Sequence, residues 1–177
     1  MLKEQRYRNL IQTYKNKIYS YSRYMLKNKM DADDITQEVM IRIWNNMDRF
    51  SLFAAKTWIM KTTNNLCIDY LRRNSAQKKR ETGIDDEFEE CYAAHNSSDN
   101  PHNLVHINMM MTNVKRALEK LPEEFRSVFI LYQINGLKYR EISKSLDIPL
   151  NTVKVNLLRA RKYLQKELKG YRTDEVI

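Results

Sequence analysis

Glycine and proline are the residues that interrupt helices, and this chain has only three of each among 177 residues. The stretches between them are rich in Lys, Leu, Met and Glu, which favour helix over strand. Apolar residues recur mostly at three- and four-residue steps, the signature of a helix with one buried stripe. The fold class expected is therefore all-α. The length admits one medium domain or two small helical ones.

The distribution of charge favours the second. Residues 1–80 carry 17 Lys/Arg against 7 Asp/Glu, residues 81–106 carry none against 7, and residues 107–177 carry 14 against 8. Two basic lobes flank an acidic segment, so the net charge of +9 is organised rather than spread. Basic lobes suit a polyanionic partner, although a solvated basic surface has the same composition. The intervening segment is polar, carries Gly83 and Pro101, and includes NSSDN at 96–100. Thirty structureless residues inside one compact domain would be unusual. The expected organisation is a domain at 1–75, a flexible acidic linker at 76–106 and a second domain at 107–172. No signal-peptide core and no long apolar run is evident, so a cytoplasmic protein without membrane insertion is expected. Two cysteines, Cys67 and Cys91, make no disulfide framework.

Residues 3–28 read as a Tyr-rich first helix, in which Tyr7, Tyr19 and Tyr24 suit packing better than base stacking. A second helix is expected from Asp31, with Asp31 as N-cap and Asp33 and Asp34 in its first turn. Its broad apolar face holds Ile35, Val39, Met40, Ile43, Trp44 and Met47. Asp34, Gln37, Glu38, Ile41 and Asn45 fall on the opposite face. Ile41 there is an apolar anchor ringed by hydrogen-bonding groups, as a docking surface requires, though a singly exposed Ile is also ordinary. Asp48–Ala54 has no helical period and presents Arg49, Phe50, Ser51, Leu52 and Phe53. The period returns at Ala55, with Trp58, Ile59, Thr62, Leu66, Ile68 and Leu71 facing inward and Lys56, Lys61, Asn64 and Asn65 elsewhere. Arg72 and Arg73 bring positive charge towards the end of this lobe.

Cys91, His95, His102 and His106 have a spacing that could in principle place four ligands on zinc. The flexible composition between them argues against a rigid site, and neither metal nor cofactor is expected. Leu104–Leu121 reads as helix. Pro122, Glu123 and Glu124 then start another, which Gly136 closes. A short helix near Tyr139–Leu146, a turn at Asp147–Pro149 and a longer helix near Asn151–Lys169 form a helix-turn-helix. Asn151, Thr152, Lys154, Val155 and Asn156 stand where such helices meet base edges. Arg140, Arg159 and Arg161 are the accompanying cations, the last two better placed for phosphates.

The segments DADDITQEVMIRIW, TWIMKTTNNLCIDYLRR and LPEEFRSVFILYQINGLKYREISKSLDIPLNTVKVNLLRARKYLQKEL resemble, in order, region 2 and region 4 of the extracytoplasmic-function (group 4) RNA polymerase sigma factors. The resemblance implies a non-enzymatic initiation factor that binds core RNA polymerase and directs promoter recognition and melting. It implies that Asp34, Gln37, Glu38, Ile41 and Asn45 dock on the polymerase. It assigns the minus-ten element to Arg49, Phe50, Ser51, Leu52, Phe53, Lys56, Lys61, Asn65, Arg72 and Arg73. The minus-thirty-five element falls to Arg140, Asn151, Thr152, Lys154, Val155, Asn156, Arg159 and Arg161. Val155 and Asn156 replace the family's usual Ser and Arg, which leaves the promoter sequence open; Ser143 replaces a small Ala beneath the turn. An anti-sigma factor is the expected regulator, and no small-molecule substrate is implied. The alternative is a helix-turn-helix regulator acting as a dimer without polymerase.

Overall fold

The computed structural model describes residues 2–80 and 101–173, with side chains over 3–76 and 110–169. Every regular element among them is helical: α1 (Leu2–Leu26), α2 (Lys29–Asn46), α3 (Leu52–Arg80), α4 (Pro101–Lys120), α5 (Glu123–Phe129), a π-helical turn (Ile130–Ile134), α6 (Tyr139–Leu146) and α7 (Leu150–Thr173). The Cys91/His95/His102/His106 set lies outside the residues whose side chains are described. α3 continues to Arg80 and α4 begins at Pro101, so helix extends into both ends of the 76–106 segment read from sequence as linker.

Helix boundaries follow from local capping, and two differ from the sequence reading. The N-cap of α2 is Asn28, not Asp31: its side-chain oxygen accepts from the N–H of Met30 at 2.8 Å and of Asp31 at 3.3 Å. Asp31 then sits in the first turn, where its charge still favours the helix N-terminus. Lys27 makes the break from α1 by adopting φ +66°. A lysine in the left-handed region is uncommon, which is why sequence did not mark this stop. Similarly, the Ser51 hydroxyl accepts from the Ala54 N–H, and α3 starts at Leu52 rather than Ala55. Leu52, Phe53 and Ala54 are thus the first turn of a helix, not part of an irregular loop.

Pro122 is the N-cap of α5 rather than its first helical residue. Its missing N–H costs nothing there. The helix widens into a π turn, where the Asn135 N–H donates to Ile130 C=O at 3.0 Å, and ends at Gly136 with φ +67°. In the helix-turn-helix, Asp147 takes the left-handed conformation (φ +59°) that ends α6. The Ser143 hydroxyl donates to the Ile148 carbonyl at 2.6 Å and ties the turn together.

The N-terminal and C-terminal helices share one apolar core. Ile18, Tyr21 and Met25 of α1, Val39 and Ile43 of α2 and Ile59 and Met60 of α3 belong to the same buried cluster as Val128, Ile130, Leu131, Ile142 and Val153. A smaller cluster joins Ala117, Leu118 and Leu121 to Ala160 and Leu164. Polar groups cross the seam between the lobes. Arg126, almost fully buried, donates to the carbonyls of Met25 (3.2 Å), Glu119 (2.9 Å) and Leu121 (2.7 Å). Asn135 donates its amide to the Lys17 carbonyl at 2.8 Å.

Candidate nucleic-acid interface

The outward face of α2 is built by its own periodicity. Ala32, Ile35, Thr36, Val39 and Ile43 are buried against α1 and α3. A 3.6-residue period then turns Asp34, Gln37, Ile41 and Asn45 to solvent, with Glu38 half-buried. All five docking candidates therefore lie on one side of one helix. Ile41 is 55% exposed, and the adjacent Trp44 is held edge-on by Tyr7 at 5.1 Å between ring centroids. Lys3 lies over the Trp44 ring at 5.4 Å. Tyr7 therefore packs rather than offering a free ring, as its position in α1 suggested. Glu38 pairs with Arg42 at 2.7 Å, a helical i,i+4 bridge.

The turn between α2 and α3 divides its aromatic residues by depth. Phe50 is buried, stacked on Trp58 with ring centroids 4.6 Å apart, and Arg6 donates to its carbonyl at 2.6 Å. Leu52 and Phe53 stand out into solvent, Phe53 completely (101% exposed). Two neighbouring large apolar side chains are thus left in water, at a cost in solvation. Arg49, Ser51, Asn65, Arg72 and Arg73 are exposed, and Lys56 and Lys61 are half-buried. The neighbour Asn64 is structural: its side-chain oxygen accepts from the Tyr21 hydroxyl at 2.7 Å inside the core. That leaves Asn65 as the amide presented outward.

On α7, Val153, Leu157, Ala160 and Leu164 form the buried stripe. Asn151, Lys154, Val155, Arg159 and Arg161 are exposed, as is Arg140 on α6, while Thr152 is half-buried. Asn156 is 7% exposed, so its side chain faces the interior of a cleft rather than open solvent. The Arg159 guanidinium lies 5.9 Å from the centroid of Phe125, and that of Arg161 lies 5.3 Å from that of Tyr132. Both distances are within cation–π range, and both residues remain exposed on α7.

A cleft of about 630 Å³ runs between the lobes, with Asn65, Ile68 and Arg72 of α3 on one wall and Leu146, Thr152 and Asn156 of the helix-turn-helix on the other. Two carboxylates of the helix-turn-helix, Glu141 and Asp147, pair with cations of α3. Lys56 donates to Glu141 at 2.9 Å and Lys61 to Asp147 at 3.1 Å. Burial works against ionisation of Glu141. Its hydrogen bond from the Lys138 N–H and its contact with Lys56 outweigh this and hold the carboxyl below its usual range. The Glu141–Lys138 contact is half of a capping box; Lys138 has no acceptor to complete it.

Burial pushes the Cys67 thiol up to about 12, and its neighbour is the Ser22 hydroxyl at 3.7 Å. Among the described residues no three His, Cys, Asp or Glu side chains are grouped to hold a metal ion.

The helical order, the outward α2 face and the terminal helix-turn-helix coincide with two family models. Sigma-70 region 2 matches residues 10–77, and Sigma-70 region 4 matches residues 111–164. The chain is 32% identical over 168 residues to the ECF RNA polymerase sigma factor SigW of Bacillus subtilis, covering 91% of this chain and 88% of SigW. The chain belongs to the ECF RNA polymerase sigma factors. It is also 28% identical to SigE of Mycolicibacterium smegmatis over 90% of its own length, but spans only 60% of that relative. The fold is shared with the sigma factor RpoE of Bartonella quintana, solved in complex with the anti-sigma factor NepR. That likeness has a TM-score of 0.77 at 19% identity and covers 93% of this chain and 98% of RpoE. In sigma-factor terms, α1–α3 hold region 2, and α4–α7 hold region 4 with the helix-turn-helix at α6–α7.

Proposed function

We propose that this sigma factor binds core RNA polymerase and directs promoter recognition, DNA melting and the start of transcription, without itself catalysing a reaction. The observation that carries this reading is the pairing, in one chain, of the exposed α2 face with a terminal helix-turn-helix, in the order of sigma regions 2 and 4. A dimeric helix-turn-helix regulator would have no use for the first of these.

In this reading Asp34, Gln37, Glu38, Ile41 and Asn45 dock on the polymerase, with Ile41 as the desolvated centre and the polar groups as its rim. The Arg49–Phe53 segment and Asn65 take a base flipped from the minus-ten element. Phe53 and Leu52 supply apolar surface, and Asn65 supplies hydrogen bonds to a base edge. Unstacking costs a few kcal/mol, which such a pocket offsets in part. Lys56, Lys61, Arg72 and Arg73 hold the strand through its phosphates. On the minus-thirty-five element, Asn151, Thr152, Lys154, Val155 and Asn156 meet bases. Arg140, Arg159 and Arg161 meet backbone. Asn156 favours adenine by geometry, and its burial means that the cleft must widen before it can do so.

The resting partner is an anti-sigma protein, a proposal supported by the likeness to a sigma factor solved with one. The place of action is the cytoplasm, where polymerase and DNA are; no described helix is long and apolar enough to cross a membrane. Co-purification with core polymerase and run-off transcription test the reading together. Binding with a promoter-dependent transcript is expected, and absence of core binding would overturn it.

A further inference from the structure

The outermost line of α7 carries two apolar residues in the middle of a polar face. The buried stripe of this helix is Val153, Leu157, Ala160 and Leu164. At about 100° per residue, Asn151, Val155, Leu158 and Lys162 fall on the side opposite to it. Val155 is 43% exposed and Leu158 52%. Three residues apart on a helix, they are neighbours, with Cβ atoms about 5–6 Å from each other. Asn156, the next residue after Val155, turns back towards the cleft and is 7% exposed.

Cations frame the pair. Lys154 and Arg161 lie along one edge of the outer face and Arg159 and Lys166 along the other, all exposed. A row of cations on each side suits the two phosphate strands that border a groove. What stands between the rows then faces base edges. Val155 and Leu158 carry no side-chain donor or acceptor, so they take no part in hydrogen-bonded readout. The apolar group that a base pair presents in the major groove is the C5-methyl of thymine. Packing Val155 or Leu158 on a polar base edge desolvates that edge without giving it a partner, whereas a methyl group pays no such penalty. The pair spans one to two base-pair steps at about 3.4 Å each, so both side chains reach bases of one short run.

We propose that Val155 and Leu158 are thymine selectors: their side chains pack on C5-methyl groups in the minus-thirty-five element. This inference rests on the reading of α7 as the minus-thirty-five helix, and adds which base two residues without hydrogen-bonding groups choose.

The test uses holoenzyme made with the full chain. A duplex library randomised across the minus-thirty-five element is selected on the wild type. Thymines of the selected duplexes are then replaced one at a time by deoxyuridine, which keeps base pairing and removes only the methyl. Affinities are compared for wild type, Val155→Ser, Leu158→Ser and Val155→Thr, each checked for helicity by circular dichroism and for core polymerase binding. We expect uridine at one or two positions to weaken wild-type binding about threefold to fivefold, the scale of one buried methyl. At such a position Val155→Ser should bind thymine and uridine alike, and Leu158→Ser should do so at the same or the adjacent position. Val155→Thr, which keeps a methyl, should retain the preference. Equal binding of thymine and uridine duplexes by wild type would overturn the proposal, as would a uridine penalty unchanged in both serine variants. Weaker core polymerase binding by the serine variants, with the uridine penalty intact, would assign the pair to a protein contact and overturn it too. Wild-type holoenzyme that initiates from the selected duplexes yet ignores the methyl sinks this inference alone. Holoenzyme that selects no duplex overturns the functional reading, and this inference with it.

Discussion

The two candidate faces of region 2 lie on neighbouring helices: α2 turns its residues to solvent, whereas α3 leaves Phe53, Asn65, Arg72 and Arg73 exposed but sets Lys56 and Lys61 against the helix-turn-helix. The difference originates in what opposes each. α2 buries one stripe against α1 and α3, which leaves Ile41 and its polar neighbours without protein above them. α3 has the same amphipathic logic, but its outer side meets α6, where Lys56 and Lys61 find carboxylates.

The largest break in this comparison is expected at Arg126. It lies on α5 against the end of α1, away from both faces, and bridges three carbonyls of two lobes from a buried position. Arg126→Ala should lower unfolding free energy by about 3 kcal/mol, the scale of charge-assisted bonds lost with acceptors left buried. Denaturant titration measures this. Ile41→Asp strikes the open side alone. It should weaken binding to core polymerase by about 2 kcal/mol, roughly thirtyfold, while leaving the melting temperature within about a degree. Titration of labelled sigma factor with core polymerase reads the first effect and a thermal melt the second. Lys154→Ala, on the exposed part of α7, should lower holoenzyme affinity for DNA nearly equally for all sequences. It should also reduce the salt slope by about one.

The smallest effect sharpens the comparison through pH. The Glu141 carboxyl is held below its usual range, with Tyr14 of α1, Lys56 of α3 and Lys138 as its titratable neighbours. A depressed acid contributes stability in full above its unfolded value, about 4.3 for glutamate, and loses it as pH falls through the lower folded value. Wild type should therefore lose its stability advantage over Glu141→Gln as pH falls below about 4. Melting curves of the two proteins across that range should converge.

The sequence was most informative where a signal is local. The short helix Tyr139–Leu146, the Gly136 stop and the outward α2 face all follow from spacings within a few residues, and the structure has them, whereas the last helix begins one residue earlier, at Leu150, and runs on past Lys169 to Thr173. Helix starts were harder. Asn28 and Ser51 cap α2 and α3 through one side-chain oxygen each, and the expected Asp31 start is also a good capping residue. Nothing nearby marks Lys27 as left-handed. The least legible feature was the pairing of Lys56 with Glu141, 85 residues apart, because no local period reports which helix comes to lie on α3. Separate family models for the two regions suggest independent lobes, and only the shared core reveals their contact. Asn156 shows the cost: its place on the reading helix was legible, but its burial was not.

The central claim is that one chain pairs a polymerase-docking face on α2 with a promoter-reading helix-turn-helix. It is tested most directly by run-off transcription with core polymerase and the full chain, comparing wild type with Ile41→Asp at limiting core. Wild type should give a promoter-dependent transcript, and Ile41→Asp should lose most of it together with core binding. Absence of core binding and of any promoter-dependent transcript with the wild-type chain would contradict the account.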